Sequence, residues 1–497
     1  MRRLLFVVVV GGALAAATLI GQTQAPAPTP TPRIFDPKRP PERELETSIA
    51  DGFTLAAVGD LIISRPLTQT LPNDPGFSAV VRILQGADAA FGNFETTVVD
   101  PAHVVGHPYP GQGDVSLVAE PAAVRDLVRM GFDVVSRANN HSMDWGVEGM
   151  RETTRVLDEA GLVHAGVGEN RGEARAARYL ETASGRVALV SMASTFSEHA
   201  PAMAPRGRAP GRPGLSPLRV TRSFALPPET LRQLQSVKAL LAAPGKTCEV
   251  SSPSTLESRK KAEREASENV RFLDTEFRVG TQAAVHYEMD PGDLAEVRQA
   301  IRQGKQHSDL LIATIHSHDT GLGCEEPGDF LPILAHAAID AGAGVFIAHG
   351  EHRLMPIEIY KGRPIFYSLA NFFWSDILEP IPSETYEQNR DLLAKSFGEA
   401  GRPTDADLLA VWNAGSFDDP RVFETVIAVS RWQRGRVAEV LLYPVDLGYG
   451  RKLTSSGTPR LASPEMAQSI LERLQRISKL YGTRIDIDAG VGRIRLP

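Results

Sequence analysis

The chain has 497 residues, of which 42% are hydrophobic and 23% charged, and a formal net charge of −7. A chain of this length buries a large core, and the make-up is that of an ordinary globular protein. The acidic balance, without any basic stretch interleaved with aromatic residues, excludes a sequence-independent nucleic-acid binder, which needs a cationic surface.

At the N-terminus, Arg2 and Arg3 precede an apolar run from Leu4 to Ile20, then small and polar residues to Ala25. That is the order of an export leader. Thr23 and Ala25 form a small-x-small cleavage pattern, but Pro26 opposes cutting there. The run is marginal as a membrane span, which needs about 20 apolar residues. Residues 1–25 therefore read as a signal peptide or an N-terminal anchor. The expected location is extracytoplasmic: periplasmic, extracellular or anchored facing outside. Pro26–Pro32 (PAPTPTP) opens a stiff linker, residues 26–50, that holds no core.

Phe53–Val58 reads as a strand ended by Gly59-Asp60, and Ala87–Phe91 as a strand ended by Gly92-Asn93-Phe94-Glu95. Pro121–Met130 reads as a helix: proline at its start, Val124, Leu127 and Val128 on one face, Gly131 behind it. Phe132–Ser136 is the next strand, and Gly149–Ala160 a helix stopped by Gly161. Strands follow at Val187–Met192, Ala283–Tyr287, Leu310–Ile315 and Gly344–Ala348, with helices at Leu294–Gln303 and Phe330–Ala341. The alternation predicts an α/β architecture with mostly parallel strands. Between 197 and 280 it breaks, into a Pro/Gly/Arg-rich loop and a charged stretch, Ser254–Asp274, that reads as a helix with few apolar anchors. This segment is read as an insertion over the core. Val422–Val429 and Val437–Leu442 predict a β-hairpin, and Pro464–Leu480 an amphipathic helix. Cys248 and Cys324, the only two cysteines, lie in loop-like sequence. In an oxidising compartment they are expected to form a disulfide that pins the insertion near the site.

Polar residues gather where strands end. Asp60 follows one strand, Asn93 and Glu95 a second, Asn139, Asn140 and His141 a third, His316 and His318 a fourth, His349 and His352 a fifth. In open α/β sheets ligands bind beyond the carboxyl ends of the strands. Carboxylates, amides and imidazoles delivered there suit one or two divalent metal ions (Mn, Fe or Zn) that polarise a substrate oxygen and acidify water. Each element alone has a plainer reading. Gly59-Asp60 is ordinary turn chemistry, Asn139-Asn140 tolerates positive φ, and Asp88, His286 and His336 read as structural or surface residues. The case rests on five coincidences.

Five stretches, VGDLIISR (58–65), ADAAFGNFET (87–96), ANNHSMDWG (138–146), HAGVGEN (164–170) and AHGEHRLMPIEIYKGRPIFYSLANFFW (348–374), together resemble the CapA-type poly-γ-glutamate capsule biosynthesis proteins. The resemblance covers roughly residues 52–196 and 281–376, and more loosely the C-terminal part. It implies a calcineurin-like, metallophosphatase-type fold. That fold is a four-layer α/β/β/α sandwich over residues 51–380 with the insertion 197–280, completed by residues 381–497. By this analogy Asp60 binds one metal, Glu95 stands at the bridging-carboxylate position, and Asn140 binds a second metal with His316 and His349. His352 returns to the first. His141 is the general acid and Asp144 orients it. Asn93, His318 and Arg65 are further candidates. There are departures. Ile62 stands where metallophosphatases usually carry a histidine, which leaves the first site a ligand short and admits one metal rather than two. His349-Gly350-Glu351-His352 replaces an H-x-P-H pattern. Ser317-His318-Asp319 follows His316 where Trp-Gly is common, which makes His318 a replacement ligand.

Two functions follow from the resemblance. One is an exported, metal-dependent hydrolase of phosphoester or amide bonds in poly-γ-glutamate or capsule polymer metabolism. The other is a non-catalytic accessory subunit of an envelope polymer synthesis or export complex. The expected partners are an anionic polymer or a small phosphoester or peptide substrate, with a membrane synthesis complex in the second case and no nucleic acid in either. The Arg-rich loop (Arg206, Arg208, Arg212, Arg219, Arg222) offers local positive charge for an anion, against its plainer reading as a solvated linker.

Overall fold

The computed structural model describes residues 42–496, apart from 70, 101–102, 109–115, 242–268, 273–274, 324, 375–380, 382 and 399–400. The leader, most of the linker, the Cys248–Cys324 pair and most of the charged segment 254–274 lie outside the described residues. Among the described residues, no helix is long and apolar enough to cross a membrane.

Side chains of the central strands alternate between two cores. In Thr54–Ile62, Leu55 and Ala57 enter one apolar cluster while Ala56 and Val58 enter another. Ala89 and Phe91 against Ala90 repeat the pattern in Ala89–Asn93. This is the two-residue period of strands buried on both faces. The first cluster also takes Leu189, Ile312 and Ile347 from a second sheet, so it is the layer between two sheets. The other is covered by helices Pro75–Gln85, Pro121–Met130 and Gly146–Ala160 through Leu84, Leu127 and Leu157. A third cluster packs Ile315 and Phe346 against Ile301 of helix Pro291–Gln306 and Leu334 of helix Phe330–Asp340. The order is helices, ten-stranded sheet, six-stranded sheet, helices, which is the four-layer α/β/β/α sandwich.

The middle of each sheet is parallel. Thr54–Ile62, Ala89–Asn93, Val134–Ser136 and Val163–Ala165 run together in one, and Gly185–Ala193, Leu310–His316 and Val345–His349 in the other. The margin of the ten-stranded sheet away from Val163–Ala165 and both margins of the six-stranded sheet are antiparallel. The hairpin Glu424–Gln433 and Arg436–Asp446 adds to Thr54–Ile62. Helix Pro464–Ser478, N-capped by the Ser463 side chain, lays Ile470, Leu471 and Leu474 into the layer between the sheets.

The segment 197–280 differs from its reading as loop plus charged helix. Val220–Leu226, Asn269–Phe272, Thr275–Val279 and Ala284–Met289 form a separate four-stranded sheet, with helix Pro228–Leu241 packed on it. Asn269–Phe272 comes from the end of the stretch expected to be helical, and its Val270 is buried. A β-branched and an aromatic residue two apart suit a strand better than a helix face without apolar anchors. Ala284–Met289, expected within the parallel alternation, pairs antiparallel with Val220–Leu226 instead.

Candidate metal centre

Strand register lines up the polar residues. Asp60 pairs across parallel ladders with Asn93 on one side and Asn371 on the other, and Asn93 pairs with Ser136. In the facing sheet His316 pairs with His349 and with Ala193. Asp60, Asn93, His316 and His349 lie at or near the carboxyl ends of their strands, the end where such sheets bind ligands, while Asn371 opens strand Asn371–Trp374. The backbone there leaves no room for side chains. A Cβ on Gly59 would overlap the carbonyl oxygen of Ala370, and one on Gly350 (φ +106°) would meet Ser317 O and the His316 ring. His352 itself has φ +57°, so the four-residue turn from His349 folds tightly back on the centre.

Asp60, Asn93, Glu95, His316 and His349 are fully buried and His352 nearly so. Asp60 Oδ1 is 3.6 Å from His349 Nδ1 and Asp60 Oδ2 is 3.5 Å from His352 Nδ1. Glu95 Oε1 is 3.6 Å from His316 Nε2. His316 Nδ1 faces His349 Nδ1 at 3.2 Å, and its Nε2 faces Nε2 of half-buried His318 at 2.9 Å. Three overlapping sets bring their donor atoms within 4.8 Å of one another: Asp60, His316 and His349; Glu95, His316 and His318; Asp60, Glu95 and His352. Buried carboxylates without a compensating cation cost roughly several kcal/mol each. Nitrogen and oxygen donors converging in this way fit a divalent transition metal.

The protonation states agree. Burial pushes the Asp60 carboxyl up, but the His352 hydrogen bond and the fields of His349 and His352 outweigh it and hold its pKa at about 2. Burial drives His349 down to about 4 and His316 well below the ordinary imidazole range. At neutral pH the pocket offers an ionised carboxylate beside neutral imidazoles, the state a metal ligand set requires.

Asn93 holds this set from inside. Its Nδ2 donates to Asp60 Oδ1 at 2.8 Å and to Glu95 Oε2 at 3.2 Å, and lies 3.3 Å from His316 Nδ1. Its orientation is set by Asn139. Asn139 Nδ2 donates to Phe94 O and to Asn93 Oδ1, while Asn139 Oδ1 accepts from His141 N. Asn93 thus turns its oxygen to Asn139 and its nitrogen to the carboxylates. Neither Asn139 nor Asn140 adopts positive φ, so hydrogen bonding rather than left-handed backbone accounts for Asn139. Asn140 is half-buried beside it.

His141 Nδ1 and Asp144 Oδ2 are 2.8 Å apart, and the same oxygen accepts from Leu117 N at 2.8 Å. Asp144 therefore accepts a hydrogen bond from His141 Nδ1–H and leaves Nε2 as the exchanging nitrogen. Arg65 donates to Thr454 O, and Ile62 packs in an apolar cluster, so position 62 supplies no donor. Within the Arg-rich loop, Arg212 donates to Pro201 O and Arg219 is tied to Asp293, while Arg206 and Arg208 are exposed. Arg222 lies over the Phe224 ring and bonds Tyr287.

Sequence reasoning passed over three residues here. Asn371 Oδ1 lies 2.8 Å from His352 Nδ1. It carries the signal that singled out Asn93, an amide at a strand, inside SLANFFW. Glu351 Oε1 is sealed from solvent without a hydrogen-bond partner, and burial with the Asp319 and Asp60 charges raises this carboxyl to about 8. Thr314 contacts His349 from within an apolar strand, where its sequence carries no signal. Beyond His352, Trp374 and Phe417 stand edge-on to the ring at 4.9 and 5.4 Å. With Phe423, Tyr449, Leu453 and Asp418 they line a cavity of about 420 Å³ whose charged lining residue is a carboxylate and which has no lysine or arginine among its lining residues.

Residues 54–375 match the family model described as bacterial capsule synthesis protein PGA_cap. An uncharacterized protein of Sinorhizobium fredii, y4sH, is 44% identical over 90% of this chain and 94% of its own length. The PGA biosynthesis protein CapA of Bacillus subtilis is 23% identical over 66% of this chain and 65% of its own. A probable polyglutamine synthesis accessory protein of Mycobacterium tuberculosis is 23% identical over 57% of this chain and 55% of its own.

Proposed function

The chain belongs to the bacterial capsule synthesis protein family PGA_cap, and from that premise we propose that it is an exported, metal-dependent hydrolase of a phosphoester or amide bond in capsule or poly-γ-glutamate polymer metabolism. One observation carries the reading: two buried carboxylates and four histidines converge at the strand ends, and the His141–Asp144 pair stands in the same network through Asn139. One or two divalent ions, Mn, Fe or Zn, held by Asp60, Glu95, His316, His349 and His352 would supply Lewis acidity at a substrate oxygen. The protein's own groups do the rest. Asn93 fixes both carboxylates by donating to each. Asp144 orients the His141 ring so that Nε2 delivers a proton to the leaving group. The aromatic cavity beside His352, with Asp418 in its lining, seats an apolar part of the substrate that carries no negative charge. The leader, residues 1–25, carries the domain out of the cytoplasm.

Elemental analysis of the purified protein beside His349→Ala and His352→Ala variants tests this. About one or two transition-metal ions per chain, lost in the variants, support the reading and direct a screen of phosphoesters and γ-glutamyl peptides. A folded protein that refuses added Mn, Fe and Zn overturns it. The second reading, an accessory subunit of an envelope synthesis or export complex, is favoured by Ile62, whose apolar packing leaves the donor set short. Under that reading the protein turns over none of these substrates and is recovered with membrane proteins.

A further inference from the structure

Thr314 is fully buried in strand Leu310–His316 and pairs in register with Ile347. Its Oγ1 lies 2.8 Å from the Ile347 carbonyl oxygen and 2.9 Å from His349 Nε2. A hydroxyl has one hydrogen to give. A carbonyl oxygen only accepts, so that hydrogen belongs to Ile347 O, and the hydroxyl oxygen is left to accept from the imidazole. The reverse assignment would set two buried oxygens 2.8 Å apart with no hydrogen between them, which is unfavourable. Neutral His349 therefore carries its proton on Nε2 and keeps a bare lone pair on Nδ1. Nδ1 is the atom that lies 3.6 Å from Asp60 Oδ1 and 3.2 Å from His316 Nδ1.

We infer that Thr314 is a positioning residue of the centre: through the chain Ile347 O, Thr314 Oγ1, His349 Nε2 it locks the tautomer and ring orientation that present His349 Nδ1 to a divalent cation beside Asp60. The inference rests on the metal reading above and goes further, because it names the nitrogen that binds and the group that decides it. Valine, of nearly the same shape, would suit a buried strand as well as threonine. What valine lacks is the acceptor. With valine at 314, the Nε2 proton is buried without a partner, and the ring either turns or moves its proton to Nδ1. Both remove the donor.

The test has two arms. Metal titration compares wild type with Thr314→Val and Thr314→Ser, using Mn²⁺ and Zn²⁺ as probes and the melting temperature of the metal-free proteins as a structural control. Thr314→Val is expected to weaken binding about 10–100-fold, while Thr314→Ser, which keeps the hydroxyl, stays within about threefold of wild type. In the second arm, ¹⁵N spectra of histidine-labelled, metal-free protein, with His349 assigned by its loss in His349→Gln, are expected to show the proton on Nε2. Unchanged metal affinity in Thr314→Val, or a proton on Nδ1 in metal-free wild type, overturns the inference. If Thr314→Val does not fold, the tautomer spectra of wild type and Thr314→Ser decide it. A wild-type protein that refuses metal overturns the metal reading itself, and that failure is distinct because the tautomer is read without metal.

Discussion

His349 and His316 show how burial of single residues sets the pH behaviour of the centre. In the unfolded chain an imidazole takes up a proton below about pH 6.5. In the fold, burial delays this to about pH 4 for His349 and well below the ordinary range for His316. Between those limits these two groups bind more protons in the unfolded chain than in the native one, so their contribution to the stability of metal-free protein is full above pH 6.5 and falls as pH drops toward 4. Over the same window the native site has no imidazole proton to displace at His349. His349 is therefore expected to stay unprotonated from pH 8 to about pH 5 and to add no proton release to metal binding there. ¹⁵N spectra of histidine-labelled, metal-free protein at stepped pH measure this, and protonation of His349 with a midpoint near pH 6.5 would contradict it. For His141→Gln the expectation is a fall in turnover of roughly 10²–10⁴-fold with metal content unchanged, since general acids contribute about that much. An equal loss of metal in that variant would make His141 a ligand instead.

Among the elements, helix Pro464–Ser478 has the least obvious role. Its spacing marks it as amphipathic, and an amphipathic helix usually covers the outside of a sheet. Here Ile470, Leu471 and Leu474 belong to the apolar cluster between the sheets, the one that also holds Leu55, Ile312 and Phe366. Leu474→Ala is expected to cost about 2–5 kcal/mol, the range for a buried leucine, and to loosen both sheets together. Denaturant unfolding measures this, and a loss below about 1 kcal/mol would show that the helix only caps the sandwich. The separate four-stranded sheet from Val220 to Met289 could not be anticipated in the same way. Its strands are half-polar, and Val220–Leu226 finds parallel and antiparallel neighbours far along the chain.

For the whole molecule, one bound ion would join side chains from both sheets. Asp60 and Glu95 belong to one sheet's strand ends and His316 and His349 to the other's. Metal binding should therefore stabilise the sandwich as a unit. At 100 times the dissociation constant the gain is about 2.7 kcal/mol, a rise in melting temperature of roughly 3 °C for a chain of this size. Calorimetry with and without Mn²⁺ or Zn²⁺ checks it, and His316→Ala is expected to lose the rise.

Much of this molecule was determined locally. The alternation of apolar strands and capped helices marks the α/β layers, because a strand's period of two and a helix's period of 3.6 are properties of the chain itself. The placement of Asp60, Glu95, His316, His349 and His352 after such strands follows from the same local reading. Tertiary structure alone decided the rest. Register, which depends on partner strands far along the chain, set Asn371 beside Asp60 and Thr314 beside Ile347. A hydrogen-bond chain closed only in the fold turned the Asn93 nitrogen toward the carboxylates and left Nδ1 of His349 bare. A residue's type states what it is able to donate or accept, and only its neighbours in space decide which of these it does.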